Sequence, residues 1–276
     1  MPPMKIFAIF GDPISHSLSP AMQNAALRAM GVDGCYIALR VAQKDLSSAL
    51  RGADAMGFAG VNLTIPLKEM ALEMDFLRLD PLAKAIGAVN TISFSPAMTG
   101  YNTDGCGALL ALERAGVAVR GSRALIIGAG GAARAIGYTL VRDDAEVCIA
   151  NRSPERGRRL ADALGAPFCG LDGIDGILPE MDIIINCTSV GMREGDGRLL
   201  EGRLLREGQT VFDIVYNRET ELLRDARAAG ARTIDGVMML VYQGAKALQI
   251  WTGREADTAV MEKAVREGLA RRAANG

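Results

Sequence analysis

The sequence predicts an α/β protein with two α/β domains, the second a Rossmann-type dinucleotide-binding domain. Along most of the 276 residues, short apolar runs typical of β-strands alternate with helical patterns. Alternation of this kind produces βαβ units and mainly parallel sheets. In addition, a glycine-rich turn joins the clearest strand to the helix that follows it, as a dinucleotide-binding domain requires.

Each element of the first part of the chain follows from its composition. The predicted elements are, in order, a strand at KIFAIFG (5–11), a helix at PAMQNAALRAMG (20–31) that ends at Gly31, a strand at GFAGVNLTI (57–65), a helix from Lys68 to about Leu77, and a strand at AVNTISFS (88–95). The strand segments are rich in β-branched and aromatic residues, and glycine or proline bounds the helices.

The second part of the chain has the more regular alternation. Its predicted elements are a strand at RALIIG (123–128), a helix at AARAIGYTLV (132–141), strands at EVCIAN (146–151), DIIINCTS (182–189) and TVFDIV (210–215), a helix with a glycine C-cap at TELLRDARAAG (220–230), and helix from about Met238 to Ala273. We therefore place the dinucleotide-binding domain at about 104–236.

Composition excludes several classes of function. With 31 basic and 32 acidic residues the formal net charge is −1, which does not suit a non-specific nucleic-acid binder. The five cysteines are scattered and form no CxxC pair, so we expect neither a disulfide framework nor a metal site. No apolar run approaches the ~20 residues of a membrane span, and the first apolar run is too short for a signal sequence. We expect a cytoplasmic protein.

The turn at GAGGAA (128–133) is the strongest single motif. Gly128 permits the tight turn, Gly130 lets the backbone approach a pyrophosphate, and Ala133 allows close packing of helix on strand. Free N–H groups at the start of the helix would then face the anion. Its strand–turn–helix context favours dinucleotide binding over a purely structural turn.

The end of the next strand bears on the choice of cofactor. An NAD site places Asp or Glu there to accept a hydrogen bond from the ribose 2′-OH, whereas this chain has Asn151, Arg152 and Ser153, with Arg156 one turn later. Arginine would pair with a 2′-phosphate, which favours NADP. Alternatively, Ser153 and Pro154 are the N-cap and first residue of a helix with a solvated basic face. Both interpretations can hold together.

Two serines precede the first helix. Ser19 would be its N-cap and Pro20 its first residue, which is sufficient as a structural explanation. Alternatively, Ser17 and Ser19 lie beside a helix N-terminus that suits a substrate carboxylate. His16 is the only histidine and could act as a general acid. Its position between serines in a loop favours a structural role, so we leave it outside the catalytic set.

Lys68 and Asp104 are candidates for a catalytic pair. Lysine at a helix start opposes the helix dipole, which suggests a functional reason for Lys68, although lysines do occur in first turns. Asp104 supplies a complementary carboxylate, but an aspartate also favours a helix N-terminus by itself. The residues alone leave both interpretations open.

Taken together, these segments closely resemble the shikimate dehydrogenase family over essentially the whole chain. The segments that carry the resemblance are GDPISHSLSP (11–20), VNLTIPLK (61–68), GAVNT (87–91), YNTDG (101–105), GAGGAA (128–133), NRS (151–153), NCTSVGM (186–192), DIVYN (213–217), DGVMMLVYQGA (235–245) and WTG (251–253). This ordered set is far more specific than any one motif.

The resemblance implies two domains with a cleft between them that closes over NADPH and substrate. It assigns the C-terminal helices to the first domain, which gives 1–103 plus 237–276 for substrate and 104–236 for NADP. The implied reaction is the reversible reduction of 3-dehydroshikimate to shikimate, a step of chorismate and aromatic amino-acid biosynthesis.

The resemblance also implies roles for particular residues. Ser17 and Ser19 would hold the substrate carboxylate, and Lys68 and Asp104 would be the catalytic pair. Asn62, Thr64, Asn90 and Gln243 would bind ring hydroxyls, with Tyr216 near the substrate. The implied cofactor-binding residues are Gly128, Ala129, Gly130, Gly131, Ala132, Asn151, Arg152, Ser153, Arg156, Thr188 and Gly236.

Some positions depart from the commonest pattern of the family. The first helix has MQN (22–24) in place of MHN, Leu67 precedes the catalytic lysine, and ALQIWTG (247–253) replaces AFELWTG. MQN and YNTDGCG are similar to the quinate/shikimate branch, whose members accept quinate and often NAD. The alternatives are therefore a quinate/shikimate dehydrogenase with relaxed cofactor use or, from another class, a non-catalytic dinucleotide sensor. We expect a monomer or homodimer.

Overall fold

The computed structural model describes residues 4–275. The chain forms two compact units: the first runs up to Gly107 and resumes at Leu240, and the second is Ala108–Met239. The domain limits predicted at 104 and 236 lie four and three residues from these limits.

The strands contain most of the predicted apolar runs. In the described residues they are β1 (Lys5–Gly11), β2 (Gly34–Arg40), β3 (Gly60–Leu63), β4 (Arg78–Leu79), β5 (Thr91–Ser93), β6 (Thr99–Tyr101), β7 (Arg123–Ile127), β8 (Glu146–Ala150), β9 (Phe168–Cys169), β10 (Ile183–Asn186), β11 (Thr210–Asp213) and β12 (Arg232–Ile234).

Helices connect most of these strands, and two further helices form the C-terminal part of the described chain. Over the same residues the helices are α1 (Ser19–Ala29), α2 (Leu46–Ala55), α3 (Pro81–Ile86), α4 (Asp104–Arg114), α5 (Gly131–Arg142), α6 (Pro154–Leu164), α7 (Ile174–Ile177), α8 (Glu221–Ala228), α9 (Val237–Thr252) and α10 (Thr258–Asn275). Short 3-10 turns lie at Gln43–Asp45, Met70–Glu73, Leu171–Gly173, Leu178–Glu180 and Gly202–Leu204.

The second unit contains a fully parallel sheet of order β12-β11-β10-β7-β8-β9. Counted from β7, this is the 3-2-1-4-5-6 order of a Rossmann fold, and its strand order reverses between β7 and β10. The predicted Rossmann-type domain is confirmed. Because all six strands are parallel, the segments that follow β7, β8, β10 and β11 leave the sheet at one edge.

The sheet of the first unit is mixed, with order β2-β1-β3-β5-β6-β4. β1 pairs in parallel with β2 and β3, whereas β5 runs antiparallel to both β3 and β6. Thr91 at the start of β5 lies opposite Asn62 of β3. This antiparallel pairing brings the GAVNT segment against the VNLT segment, and the sequence patterns did not predict it.

The helix predicted from Lys68 to Leu77 is wrong. Only the 3-10 turn Met70–Glu73 forms there, and Lys68 lies in the turn before it. The carbonyl of Lys68 accepts a hydrogen bond from Val89 N–H at 2.9 Å and not from the residue four positions on, as in a helix. Tertiary pairing with the segment before β5 therefore replaces the helix.

Trp251 of α9 anchors the C-terminal helices to the first sheet. Its ring stacks on Phe7 at a centroid distance of 5.1 Å, and its Nε1–H donates to the carbonyl of Ile92 at 2.9 Å. A Cβ at Gly60 of β3 would lie 2.1 Å from the indole Nε1. The indole therefore lies directly against the backbone of β3, where only glycine leaves room.

Candidate functional site

Lys68 and Asp104 form a buried ion pair in the first unit. Lys68 Nζ lies 2.6 Å from Asp104 Oδ2, and the side chains are 16% and 5% exposed. An ammonium has three N–H donors, and Asp104 takes one of them within the part of the chain that the structure describes. The pair thus presents a held cation whose other donors are available for a ligand.

Asn90 brings further polar groups to this pair. It is 2% exposed, and its Nδ2 donates to Asp104 Oδ1 at 2.8 Å and to Thr103 Oγ1 at 2.9 Å. Gln243 Oε1 lies 3.4 Å from the same nitrogen. The structure therefore places four of the predicted residues, Lys68, Asp104, Asn90 and Gln243, in one cluster.

The YNTDG segment explains the position of Asp104. Asp104 is the first residue of α4, and its N–H donates to Asn102 Oδ1 at 3.0 Å. Asn102 Nδ2 in turn donates to the carbonyl of Ala88 at 2.9 Å. This side chain satisfies one free N–H of the helix start and ties it to the GAVNT segment. The structural and functional interpretations of Asp104 are compatible.

Asn62, predicted to bind ring hydroxyls, has its amide hydrogens engaged within the protein. Its Nδ2 donates to the carbonyl of Asn90 and to Thr91 Oγ1, both at 3.0 Å. Its Oδ1 accepts from the hydroxyl of Tyr36 at 2.7 Å. In this structure Asn62 supports the segment that carries Asn90, and sequence patterns pointed to neither Tyr36 nor Thr91.

The serine segment differs from one expectation. Leu18, not Ser19, is the N-cap of α1, and the side chain of Leu18 makes no capping bond. The cap prediction for Ser19 is wrong because Ser19 is itself the first helical residue, and its N–H donates to Ser17 Oγ at 3.2 Å. His16 is exposed, and its carbonyl accepts from Arg272 Nη1 at 2.7 Å.

Thr64 follows β3 and depends on a glycine. A Cβ at Gly11 would lie 2.4 Å from Thr64 Cγ2, so the end of β1 must carry glycine for Thr64 to keep its place. Thr64 N–H donates to the carbonyl of Phe10 at 2.9 Å. The threonine side chain is half-buried at the carboxyl end of its strand.

In the second unit, the glycine turn has the geometry of an anion site. Gly128 has φ +122°, in the range that favours glycine. Gly130 is the N-cap of α5 without a side-chain cap, and a Cβ built on it meets no atom within 4 Å. The open space beside Gly130 and the uncapped start of α5 fit a pyrophosphate. Gly131 and Ala132 are the first helical residues.

The segment after β8 carries the predicted phosphate-binding arginines. Arg152 and Arg156 are exposed, and no carboxylate follows β8 before Glu155, which pairs with Arg159 at 2.9 Å. Ser153 is the N-cap of α6 as predicted, but its side chain makes no capping bond. The expectation that its hydroxyl caps the helix is therefore wrong.

Asn151 orders this segment by another bond. Its Nδ2 donates to the carbonyl of Ser153 at 2.9 Å, so the amide of Asn151 fixes the turn into α6. Gly157, on the first turn of α6, would place a Cβ 3.0 Å from Asn151 Cβ. Close packing of α6 on this turn therefore depends on glycine.

A buried network that sequence patterns did not reveal joins the segments after β10 and β11. Asp213, fully buried, accepts from Asn186 Nδ2 at 2.9 Å, Val215 N at 3.0 Å and Thr220 Oγ1 at 2.7 Å. Burial raises the pKa of the Asp213 carboxyl, and these hydrogen bonds offset the effect only in part. Thr188 Oγ1 donates to Asn186 Oδ1 at 2.7 Å, which ties the predicted cofactor residue to the same network.

Gly236 and Tyr216 lie in the part of the second unit that follows β11 and β12. A Cβ at Gly236 would lie 2.2 Å from the carbonyl oxygen of Ile214, so glycine is required for this approach. Tyr216 is half-buried and follows β11 at the carboxyl edge of the sheet. Only the family resemblance pointed to these two residues, and no local sequence pattern did.

Among the described residues, no group of three or more His, Cys, Asp or Glu side chains is arranged to hold a metal ion. None of the helices between residues 4 and 275 is long and apolar enough to cross a membrane.

Comparison with family models matches nearly the whole chain. Residues 9–92 match the shikimate dehydrogenase substrate binding domain, residues 110–235 match the shikimate / quinate 5-dehydrogenase model, and residues 236–266 match the shikimate 5′-dehydrogenase C-terminal domain.

Individual proteins agree with these models. The shikimate dehydrogenase (NADP+) of Methanothrix thermoacetophila is 58% identical over 97% of this chain and 99% of its own length. A shikimate dehydrogenase crystallised with NADP+ is 40% identical with a TM-score of 0.91, covering 96% of each chain. The Thermus thermophilus enzyme in complex with NADP(H) and shikimate is 38% identical with a TM-score of 0.88, covering 96% of this chain and 99% of its own.

Proposed function

This chain belongs to the shikimate dehydrogenase family, and we propose that it catalyses the reversible, NADP-dependent reduction of 3-dehydroshikimate to shikimate. The observation that carries the proposal is the buried pair of Lys68 Nζ and Asp104 Oδ2, 2.6 Å apart, with Asn90 and Gln243 beside it. A binding protein has no need of a held cation with free donors beside a carboxylate.

Lys68 and Asp104 supply the acid–base chemistry. NADPH would supply the hydride when bound, and negative charge would develop on the oxygen of the substrate carbonyl. The ammonium of Lys68 stabilises that charge and delivers the proton to the oxygen. Asp104 holds the ammonium through one donor and leaves the others for the substrate. In the reverse direction Lys68, once neutral, takes the proton from the hydroxyl.

The substrate residues divide by chemistry. Ser17 and Ser19, at the start of α1, would hold the carboxylate, because a helix N-terminus favours an anion. Thr64, Asn90 and Gln243 would bind the ring hydroxyls. Thr64 lies four residues before Lys68 in the sequence, and Asn90 and Gln243 lie in the same cluster as Lys68, which supports this assignment.

Two further residues complete the substrate set. Tyr216 would contact the substrate from the segment after β11. Asn62 would also meet the ring, as the family resemblance implies; its amide hydrogens, like those of Asn90, are engaged with protein atoms in this structure.

The cofactor residues lie along one edge of the parallel sheet. We propose that 104–236 binds NADP and that 1–103 with 237–276 binds the substrate. The pyrophosphate would lie over Gly128 to Ala132, where the space beside Gly130 is open. Arg152 and Arg156 would face the 2′-phosphate, with Asn151 and Ser153 shaping their turn, and Thr188 and Gly236 would line the nicotinamide side.

The five cysteines form no disulfide within the described residues, and this supports a reducing compartment, for which we propose the cytoplasm. We propose a monomer or homodimer as the functional species.

The test is a steady-state assay of NADPH absorbance with shikimate as substrate, for the wild type and for Lys68→Met. Loss of the ammonium should lower kcat by about 10²- to 10⁴-fold and change KM far less, because the charge counts most in the transition state. Lys84→Met, an exposed lysine on α3 of the same unit, is the matched control. An unchanged kcat in Lys68→Met would refute the assignment.

The same assay separates the alternatives. The MQN and YNTDGCG segments and the shikimate / quinate model make quinate the second candidate substrate, so kcat/KM is measured for shikimate and quinate with NADP and NAD. Comparable values for both acids would assign the quinate/shikimate activity. Tight NADPH binding without oxidation of either acid would assign a sensor.

A further inference from the structure

A chain of four hydrogen bonds runs from a buried tyrosine to Asp104, and every donor points the same way. The hydroxyl of Tyr36 donates to Asn62 Oδ1 at 2.7 Å, and Asn62 Nδ2 donates to Thr91 Oγ1 at 3.0 Å. Thr91 Oγ1 donates to Asn90 Oδ1 at 3.0 Å. Asn90 Nδ2 then donates to Asp104 Oδ1 at 2.8 Å. We call this set the relay.

The direction of each bond is forced by backbone groups at two points. The carbonyl of Asn90 can only accept, so the atom of Asn62 that lies 3.0 Å from it must be Nδ2. Its Oδ1 therefore faces Tyr36, which must donate. The N–H of Thr103 can only donate, so the atom of Asn90 at 2.8 Å must be Oδ1. Amide orientations in the relay are thus set by obligate donors and acceptors.

Thr91 is the junction between these two fixed amides. Its oxygen accepts from Asn62, and its hydroxyl hydrogen has Asn90 Oδ1 at 3.0 Å as the nearer acceptor, with Thr103 Oγ1 at 3.4 Å. Three donors, the Thr91 hydroxyl and the N–H and hydroxyl of Thr103, surround the oxygen of Asn90. With its oxygen held by these donors, the amide of Asn90 resists rotation, and its Nδ2 stays aimed at Asp104.

Burial makes this arrangement strong. Thr91 is 0%, Tyr36 1%, Asn90 2% and Asp104 3% exposed, so water does not compete for these bonds. Hydrogen bonds in such an environment are stronger than in water and polarise one another. A member that is lost leaves its buried partner unsatisfied, which weakens the whole set.

We propose that Thr91 is a positioning residue of the active site, which acts through Asn90 to hold the Asp104 carboxylate, and through it Lys68, in register for proton transfer. The inference rests on the proposed function. Tyr36 and Asn62 orient the Thr91 hydroxyl and so contribute to the same relay. Because Thr91 is fully buried, its effect is expected on the chemical step and not on substrate binding.

The experiment that tests the positioning role of Thr91 compares three variants in the shikimate assay. Thr91→Val keeps the shape of the side chain and removes the hydroxyl, and we expect kcat to fall about tenfold with KM within about twofold. Thr91→Ser restores the hydroxyl and should recover most of the wild-type kcat. Thr99→Val, which removes a hydroxyl bonded to the Ala97 carbonyl on neighbouring β6, is the matched control and should keep wild-type kcat.

A second readout does not depend on turnover. The side-chain amide hydrogens of Asn90, assigned by NMR, should exchange slowly with solvent in the wild type and at least about tenfold faster in Thr91→Val. If Thr91→Val does not fold, Tyr36→Phe removes the donor at the far end of the relay and should give a smaller change in the same two measurements.

The outcomes separate the two proposals. Wild-type kcat in Thr91→Val, or an equal loss in Thr91→Ser, would overturn the positioning role. A wild type that oxidises neither shikimate nor quinate, while the Asn90 amide still loosens in Thr91→Val, would overturn the proposed function and leave the relay supported. Unchanged exchange of that amide would overturn the relay itself.

Discussion

Gly60 and Trp251 should be strongly coupled in stability, because the indole occupies the space that a side chain at Gly60 would need. A Cβ at Gly60 would lie 2.1, 2.3 and 2.5 Å from Nε1, Cε2 and Cδ1 of Trp251. These distances are far inside van der Waals contact, so Gly60→Ala must displace the ring. Displacement would disturb its stacking on Phe7 and its hydrogen bond to the Ile92 carbonyl.

The expected magnitudes follow from these contacts. Overpacking of this kind costs about 1–3 kcal/mol, and the strained hydrogen bond adds about 1 kcal/mol, so Gly60→Ala should cost about 2–4 kcal/mol. Trp251→Ala removes a large buried ring and should cost about 3–5 kcal/mol. Once the ring is gone the new methyl meets no clash, and Gly60→Ala should then cost close to zero. The coupling energy is therefore about −2 to −4 kcal/mol.

The assay is urea unfolding of the four proteins of this cycle, followed by far-UV circular dichroism. Trp251 is the only tryptophan in the sequence, so its fluorescence additionally reports the environment of the ring in the wild type and in Gly60→Ala. Gly52→Ala on α2 is the matched control, since a Cβ there meets only the end of Met56 at 4.0 Å. It should be neutral or stabilising by about 0.5–1 kcal/mol. Additive effects of the two changes, within about 0.5 kcal/mol, would refute the reasoning.

Two further predictions concern cofactor choice and thiol reactivity. Arg152→Ala should raise KM for NADP about tenfold and leave KM for NAD unchanged, because it removes a charge-assisted bond to the 2′-phosphate alone. The control is Arg158→Ala, since the Arg158 guanidinium lies over the Phe168 ring. Equal losses with both cofactors in Arg152→Ala would contradict the assignment. Burial raises the pKa of the Cys148 thiol to about 12, with Cys169 adding to the shift. At pH 8 its thiolate fraction is therefore roughly 10⁻⁴, and alkylation by iodoacetamide, followed by peptide mass spectrometry, should be about 10³-fold slower than for a small free thiol. Labelling of Cys148 at the rate of the free thiol would show that the site is open to water.

The dinucleotide-binding unit was the more predictable part because its signals are local. A buried strand, a glycine turn and a helix follow one another within a few residues, and parallel strands bring the next turns to the same edge without further information. Gly128 and Gly130 could therefore be assigned before the structure was known. The sequence at the end of β8 is an equally local signal, and its lack of an acidic residue pointed to the 2′-phosphate of NADP.

The members of the candidate active site in the first unit could be proposed from the sequence, but the contacts that hold them together could not. Lys68 was expected at a helix start, yet its carbonyl pairs with Val89, which belongs to a segment about twenty residues later. Asn62 was expected at the substrate, yet its amide hydrogens bond to Asn90 and Thr91. Both outcomes depend on the antiparallel pairing of β3 with β5, and no local pattern specifies the register of a non-local pair.

Each unit contains a buried aspartate that accepts from an asparagine amide, and the two aspartates differ in their other partners. In the first unit Asn90 Nδ2 donates to Asp104 at 2.8 Å, and in the second Asn186 Nδ2 donates to Asp213 at 2.9 Å. Asp213 has neutral partners throughout the described residues, and burial raises its pKa.

Such a carboxyl group holds two turns together through neutral donors and presents no cation to a ligand. Asp104 instead holds an ammonium whose remaining donors are available. The hydrogen bonds of Asp213 all lie within the fold, whereas Asp104 holds a cation with donors left for a ligand. The cation, and not the buried carboxylate or its asparagine, is therefore the feature on which the proposed reactive site rests.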